Sequence, residues 1–312
     1  MDPNQRVLHS FGNGYDGAVP MASLINVKGT LYGTTVSGGE YGSGTAFSIS
    51  TTGTEQVLHN FGSGFDGRGP YGSLIDVNGT LYGTTRNGGT YDLGTVYSVS
   101  MSGAEKVLYS FTGRDGDGAG PVAGLINVNG TLYGTTLSGG KNRYGQPGTV
   151  FSITTAGKER VLYRFRGEYD DDGAAPTASL IEAKGVLYGT TSSGGHYPTG
   201  GTIFRISTNG NEHVLHSFGP DGRDPHASLI DVNGTLYGTT VSGGKYGNKY
   251  NTGDGTVFSI NTSGTEKVLH NFGSGSDGRG PCASLINVNG TLYSTTRGGG
   301  SGGHGTVFAF KP

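Results

Sequence analysis

One short phrase recurs six times along the chain and constrains its fold more than any other feature. The phrase Val-Leu-His/Tyr-x-Phe begins at Val7, Val57, Val107, Val161, Val214 and Val268. The spacings between these starts are therefore 50, 50, 54, 53 and 54 residues. A fixed period of this size is typical of architectures built by stacking one supersecondary unit. We expect six copies of such a unit.

Each unit carries three further phrases. A turn, Asp-Gly-x-x-Pro, leads into an apolar stretch such as ASLINV, and then come Gly-Thr-Leu-Tyr-Gly-Thr-Thr and Gly-Thr-Val-Phe-Ser-Ile or close variants. All four phrases are short, rich in β-branched or aromatic residues, and bounded by Gly, Asn, Asp or Pro, which is typical of strands. We name the strands a (ASLINV), b (LYGTT), c (GTVF) and d (VLHSF). Asn-Gly, which lies between a and b in four units, predicts a tight hairpin because type I′ turns need positive φ.

Four antiparallel strands in each of six units predict an all-β fold, the six-bladed β-propeller. The chain begins with a d strand at residues 6–11 and ends with a c strand, so we expect the N-terminal strand to complete the last blade as its outer strand. A single domain, residues 1–312, is expected. Its blades are 16–61, 66–111, 117–165, 172–218, 221–272, and 277–312 plus 6–11.

The succession of LYGTT, Gly-Gly and GTVF resembles the GloVer tandem repeat of bacterial secreted and surface-anchored proteins. The resemblance covers essentially the whole chain. It implies the repeat fold and an extracellular or cell-surface location, and it implies no activity because that family has no well-defined one. The sequence MDPNQRVLHSF has neither a basic n-region nor an apolar h-region, so no signal peptide is visible in it.

Strand directions in such a blade predict which loops lie together. The a–b and c–d hairpins fall on one face, whereas the Asp-Gly-x-x-Pro turn and the b–c loop after Gly-Gly fall on the other. The b–c loops vary in length, from EYGS to KYGNKYNTGD. Variable loops on a rigid scaffold usually carry function, so we expect the functional surface on that second face.

Tyrosines in the b–c loops predict carbohydrate binding, because a tyrosine offers a flat apolar face and a polar edge to a sugar ring. Together with two histidines of the same face, the candidate ligand-binding residues are Tyr41, Tyr91, Tyr144, Tyr197, Tyr246, His196 and His304. Near-identical loops favour a lectin-like protein with repeated shallow sites. The alternative role of each tyrosine is to pack over its own loop.

A second hypothesis is a carbohydrate-active enzyme, a lyase or hydrolase, with one asymmetric site. Unusual side chains replace the common residues at a few positions of the loop face, and these are His226, Asp224, Arg297, Arg86 and Tyr71. Such a cluster could abstract a proton or cleave a glycoside, although neutral variation at exposed positions explains the same residues, and geometry is the first test of a general base. A third hypothesis is a structural or protein-binding scaffold.

Other repeated residues favour structural roles. An Asp in all six Asp-Gly-x-x-Pro turns could form a ring of ligand carboxylates, but its repetition favours a role in turn geometry. The d-strand His alternates with Tyr109 and Tyr163, which indicates half-buried packing. Cys282, the single cysteine, has no partner motif and is expected to be a small buried residue.

The composition limits partners and cofactors. Net charge is 21 − 23 = −2, which argues against nucleic acid as a partner, and no apolar run approaches the ~20 residues of a membrane helix. We expect a carbohydrate or another small molecule as ligand, and no cofactor or metal site. The acidic runs 113–118 and 169–173 lack the Glu that an EF-hand needs at its twelfth position, which leaves only a non-standard Ca²⁺ site possible.

Overall fold

The computed structural model describes residues 6–141, 145–167, 170–197, 199–246 and 253–312. The protein is an all-β, six-bladed β-propeller, and the described residues contain no α-helix. The described residues also contain no candidate for a membrane-spanning helix. The fold class predicted from the repeats is confirmed.

The strands recur in the order a, b, c, d. The a strands are β1 (Ile25–Val27), β6 (Ile75–Val77), β12 (Ile126–Val128), β18 (Ile181–Ala183), β23 (Ile230–Val232) and β27 (Ile286–Val288). The b strands are β2 (Thr30–Thr35), β7 (Thr80–Thr85), β13 (Thr131–Thr136), β19 (Val186–Thr191), β24 (Thr235–Thr240) and β28 (Thr291–Thr296).

The longer outer strands follow the same order. The c strands are β3 (Thr45–Ser50), β9 (Thr95–Ser100), β15 (Thr149–Thr154), β21 (Thr202–Ser207), β25 (Thr256–Ile260) and β29 (Thr306–Phe310). The d strands are β4 (Glu55–Asn60), β10 (Glu105–Ser110), β16 (Glu159–Arg164), β22 (Glu212–Ser217) and β26 (Glu266–Asn271). Short strands in the turns are β5 (Gly67–Arg68), β8 (Asn87–Gly88), β11 (Gly118–Ala119), β14 (Ser138–Gly139), β17 (Gly173–Ala174) and β20 (Ser193–Gly194).

Five sheets have four strands in the order a-b-c-d, and the sixth contains only β27, β28 and β29 in the described residues. Residues 6–11 hold no strand, so the expected pairing of an N-terminal strand with the last blade is not observed. The segment nevertheless contacts the first blade as a d strand contacts the blade that follows it. Phe11 meets Phe47 edge to face at 5.0 Å, as Phe61 meets Tyr97 at 4.8 Å.

Two compact units make up the chain. One is Met1–Gly139 with Phe151–Val161, and the other is Gly140–Val150 with Leu162–Pro312. Inside the first, Phe61 packs in a buried cluster with Leu74 and Leu81 of the next blade. Inside the second, Phe218 packs in the same way with Leu229 and Leu236. In both units, neighbouring sheets bury their apolar faces against one another.

Close packing explains why glycine and threonine recur in the Gly-Thr-Thr and Gly-Thr-Val phrases. The second blade shows these contacts. A side chain at Gly83 would place its Cβ 2.7 Å from the ring of Tyr97, so only glycine fits against the c-strand aromatic residue. The buried hydroxyls of Thr85 and Thr95 are hydrogen-bonded to each other at 2.8 Å. Gly67 of the Asp-Gly turn lies over this threonine pair, since a Cβ there would be 2.1 Å from Thr85 Oγ1.

The hairpin prediction is also confirmed. Asn78 and Gly79 have φ values of 53° and 82°, and Lys28 and Gly29 have 52° and 90°. Left-handed conformation at both central residues is what a type I′ turn requires. The sequence therefore determines the a–b register locally.

Candidate functional site

The Asp-Gly-x-x-Pro turn and the Gly-Gly loop of each blade are paired through their backbones. β5 pairs with β8 in the second blade, and equivalent pairs or single bridges join the two segments in the other blades. This places the turn beside the variable b–c loop, as strand directions predict. Side chains from both segments can therefore contribute to one surface.

The repeated turn aspartates are engaged inside the protein. Asp66 Oδ1 accepts the N–H of Gly62 at 2.9 Å, and its Oδ2 is hydrogen-bonded to His59 Nε2 at 3.0 Å. Asp172 Oδ2 accepts a hydrogen bond from the Tyr163 hydroxyl at 2.8 Å, where other blades have a histidine. The exchange of His for Tyr thus preserves one hydrogen bond, and the aspartates serve the turn rather than a ligand.

A glutamate lies beside a turn Asp and its d-strand His or Tyr, and the sequence interpretation missed it. The d strand of the following blade opens with a glutamate, and burial raises the pKa of Glu105 beside His59 and Asp66. Burial raises the pKa of the equivalent Glu266 to about 7. The available signal was the Glu that stands at the first position of β4, β10, β16, β22 and β26.

One of these groups has the composition of a metal-ligand set. Potential ligand atoms of His216, Asp221 and Glu266 all lie within 4.8 Å of one another. Burial alone would raise the pKa of Asp221, but hydrogen bonds from His216 and the Gly219 N–H outweigh burial, and the pKa is lowered. The same His–Asp hydrogen bond recurs in other blades, so we assign this group to the packing between blades.

A cleft of about 590 Å³ lies between the turn and the b–c loop of the second blade; we call it the blade 2 cleft. Its lining includes Phe65, Arg68, Tyr91, Asp92 and Arg114, together with glycine backbone. Phe65 is 73% exposed and Tyr91 is 48% exposed, so two aromatic faces border the opening. The Arg68 guanidinium pairs with Asp92, and this hydrogen bond, followed by one from the Gly88 N–H, lowers the pKa of Asp92.

The other predicted ligand-binding tyrosines are exposed to a similar extent but have different neighbours. Exposure is between 40% and 49% for Tyr41, Tyr91, Tyr197 and Tyr246. The Tyr197 ring packs over Gly219 and meets His196 edge to face at 5.0 Å. His196 Nδ1 lies 3.4 Å from Asp171 Oδ1. The sites are therefore less alike than the repeated sequence suggests.

Two further predicted residues complete this set. His304 is exposed in the last b–c loop, where it bridges to Gly299 through the backbone. Tyr144 lies outside the described residues.

Of the predicted catalytic residues, the structure brings His226 and Asp224 into direct contact. His226 Nε2 lies 2.9 Å from Asp224 Oδ1, and its Nδ1 lies 3.3 Å from Thr177 Oγ1. Asp224 has a φ of 61°, at a position where the backbone is left-handed in every blade. Thr177 was not singled out from the sequence because its contact depends on the neighbouring blade. An imidazole with a carboxylate on one nitrogen and a hydroxyl on the other can transfer a proton.

The remaining candidates have other partners. Arg86 lies over the ring of Tyr71, with its guanidinium carbon 5.7 Å from the centroid. Arg297 packs against Gly280, where a Cβ would come within 2.7 Å of Arg297 Nε. Each arginine thus contacts the Asp-Gly-x-x-Pro segment of its own blade or the residue that follows it. Cys282 is exposed, so the expectation of a buried cysteine is wrong.

A family comparison identifies the repeat. The model of the Gloeobacter/Verrucomicrobia repeat matches residues 1–147 and 116–308. The chain belongs to the Gloeobacter/Verrucomicrobia repeat family. The resemblance predicted from LYGTT, Gly-Gly and GTVF is therefore confirmed. Among curated proteins, none matches the chain significantly by sequence.

Solved structures share the architecture of this Gloeobacter/Verrucomicrobia repeat chain. A virginiamycin B lyase from Staphylococcus aureus has 14% identity and a TM-score of 0.61, over 95% of this chain and 85% of its own. A luciferin-regenerating enzyme has 13% identity and a TM-score of 0.51, over 96% and 92%. A candidate gluconolactonase has 13% identity and a TM-score of 0.50, over 97% and 91%. At these identities the likeness shows the fold alone.

Proposed function

We propose that the protein is a carbohydrate-binding, lectin-like propeller whose best-formed site is the blade 2 cleft. The observation that carries the proposal is the pair of exposed aromatic side chains, Phe65 and Tyr91, at the border of a polar cleft. Aromatic faces stack on the C–H surface of sugar rings, while fixed polar groups bind hydroxyls. Arg68 and Asp92 supply such groups, and their ion pair holds both side chains in place.

An extracellular or cell-surface location belongs to the same proposal, because the repeat resembles those of secreted and surface-anchored proteins. The proposed partner is a glycan met outside the cell.

Calorimetric titration against a glycan panel tests the proposal. We expect Tyr91→Ala and Phe65→Ala each to weaken binding at least about fivefold through lost stacking, and Tyr91→Phe to retain it. Tyr41→Ala in the first blade is the matched control, because it removes an equally exposed tyrosine from another loop. Glycan binding that is unchanged in both blade 2 variants would contradict the assignment to this cleft.

A second candidate function is a carbohydrate-active enzyme, and the hydrogen-bonded Asp224–His226–Thr177 arrangement favours it. Asp224 would orient the imidazole, and His226 would act as general base or acid. The three structural neighbours carry names of different chemistries, so the fold does not indicate a reaction, and the reaction has to be inferred from this site.

Product formation from the same glycan panel separates this function from simple binding. If His226 is the general base, His226→Gln should lower the rate by about 10²–10⁴-fold, and His213→Gln, at an exposed histidine of β22, should leave it unchanged. A rate that is insensitive to His226→Gln would exclude this site as the catalytic one.

A further inference from the structure

The blade 2 cleft contains more charged side chains than the binding of a neutral sugar requires. Its lining contains two guanidinium groups, of Arg68 and Arg114, and two carboxylates, of Asp66 and Asp92. Asp66 is only 9% exposed, and both of its oxygens have hydrogen-bond partners, Gly62 N–H and His59. Both oxygens of Asp66 are therefore engaged inside the protein, and Asp92 is the accessible carboxylate.

The charge of Asp92 is already used by Arg68. Its Oδ1 pairs with the Arg68 guanidinium and accepts the N–H of Gly88 at 2.8 Å. The side chains remain about half exposed, at 48% for Arg68 and 64% for Asp92, so the pair lies at the cleft surface. Arg68 and Asp92 thus contribute fixed hydrogen-bonding groups and no net charge.

Arg114 is different, because within the described ranges no ion pair involves its guanidinium. Arg114 is exposed and lies in the turn that follows β10. An exposed guanidinium without an ion-pair partner among the described residues therefore stands beside the two aromatic faces of the cleft. A guanidinium presents paired N–H donors that match a carboxylate.

The first blade provides a natural comparison. Tyr15 and Tyr41 are exposed at the positions that correspond to Phe65 and Tyr91. Ala18 and Gly42, however, stand where the second blade has Arg68 and Asp92. The aromatic pair therefore accompanies both repeats, whereas the charged groups belong to the second blade alone of these two.

We infer that the blade 2 cleft selects an acidic sugar, a residue of the uronic acid class. Its ring stacks between Tyr91 and Phe65, its hydroxyls bind the Arg68–Asp92 pair, and its carboxylate pairs with Arg114. This inference rests on the proposed carbohydrate-binding function and specifies its ligand class. An exposed ion pair of this kind is weak and is screened by salt, so selectivity should fall at high ionic strength.

The test compares a trigalacturonate with the neutral galactose trisaccharide by calorimetric titration of the whole chain. We expect the acidic trisaccharide to bind about fivefold more tightly at low salt and the difference to shrink at high salt. Arg114→Gln should remove the preference for the acidic trisaccharide. Arg160→Gln, at an exposed arginine of β16, is the matched charge control and should keep the preference.

The outcomes separate this inference from the proposal beneath it. Equal affinities for the two trisaccharides, or a preference that survives Arg114→Gln, would overturn the selection of acidic sugars while leaving carbohydrate binding intact. A preference lost equally in Arg160→Gln would show only a general charge effect and would also overturn it. Absence of binding by either sugar, in the wild type and with the wider glycan panel, would overturn both.

Discussion

At the scale of single residues, the chain separates repeated side chains that build the fold from singular ones that form surfaces. The His or Tyr of strand d, the turn Asp and the following Glu form one group between blades, as in His59, Asp66 and Glu105. A glutamate there loses hydration, and Glu266 Oε1 finds no hydrogen-bond partner among the described residues. Arg114 and His226, in contrast, are residue types found in only one blade at their position in the repeat. Both lie at exposed turns.

The pKa of Glu266 gives a prediction at this scale. Burial raises it from the ordinary value of 4.5 to about 7 in the folded protein. An acid with a higher pKa in the folded state favours folding while it is protonated, so this contribution is fully present below about pH 4.5 and is lost as the pH rises through 7. Glu266→Gln mimics the protonated form at every pH.

We therefore expect Glu266→Gln to raise the melting temperature at about pH 8 and to change it little at about pH 5. Thermal unfolding followed by circular dichroism at the two pH values measures this difference. Glu40→Gln, at an exposed glutamate, is the control. The same shift at both pH values would show that the charge of Glu266 is not the cause.

At the scale of the elements, each blade depends on close contacts that the motif residues permit. The b strand carries glycine where the c-strand aromatic ring crosses it, and the two strands are joined by a buried threonine pair. Close packing of this kind leaves no space for an added methyl group. The LYGTT motif is thus explained by packing inside one sheet rather than by ligand binding.

Gly83→Ala tests this explanation. The new Cβ would come 2.5 Å from the Tyr97 hydroxyl and 2.7 Å from its ring. We expect a loss of about 1–3 kcal/mol in the free energy of unfolding, measured by urea titration, because the core would be overpacked. Gly302→Ala is the control, since its Cβ would meet only His304 at 3.8 Å. Equal stability of the two variants would contradict the packing argument.

Much of the fold could be predicted at the level of elements. The Asn-Gly pairs determine the hairpins, and the period determines the number of blades, because both depend on local chemistry and repetition. The N-terminal strand could not be predicted in the same way. Residues 6–11 contain the d-strand phrase, but strand formation needs a paired neighbour, and no described residue pairs with this segment.

At the scale of the whole molecule, stability comes from apolar contacts between neighbouring sheets. Repeat architectures of this kind gain stability from each such interface. The leucine before strand a shows the effect clearly. Leu74, Leu125, Leu180, Leu229 and Leu285 are at most 2% exposed, whereas Leu24 of the first blade is 49% exposed.

Leu74→Ala and Leu24→Ala therefore form a matched pair at equivalent repeat positions. We expect Leu74→Ala to lower the free energy of unfolding by about 2–5 kcal/mol, because it leaves a cavity in the core. Leu24→Ala should cost less than about 1 kcal/mol, because the side chain is already half in water. Denaturant unfolding of both variants measures the difference, and equal losses would contradict the burial of these positions.

The sequence by itself determined the repeat, the strand order, the hairpins and the face on which the turn and the b–c loop meet. These features depend on residue types at fixed spacing, which a single chain displays directly. Tertiary structure decided which singular residues meet. His226 gains Asp224 and Thr177, while the blade 2 cleft unites Phe65, Tyr91 and Arg114 from separate segments. Such contacts depend on how separate turns pack against one another. The spacing of residues in the sequence does not predict which of these side chains come into contact.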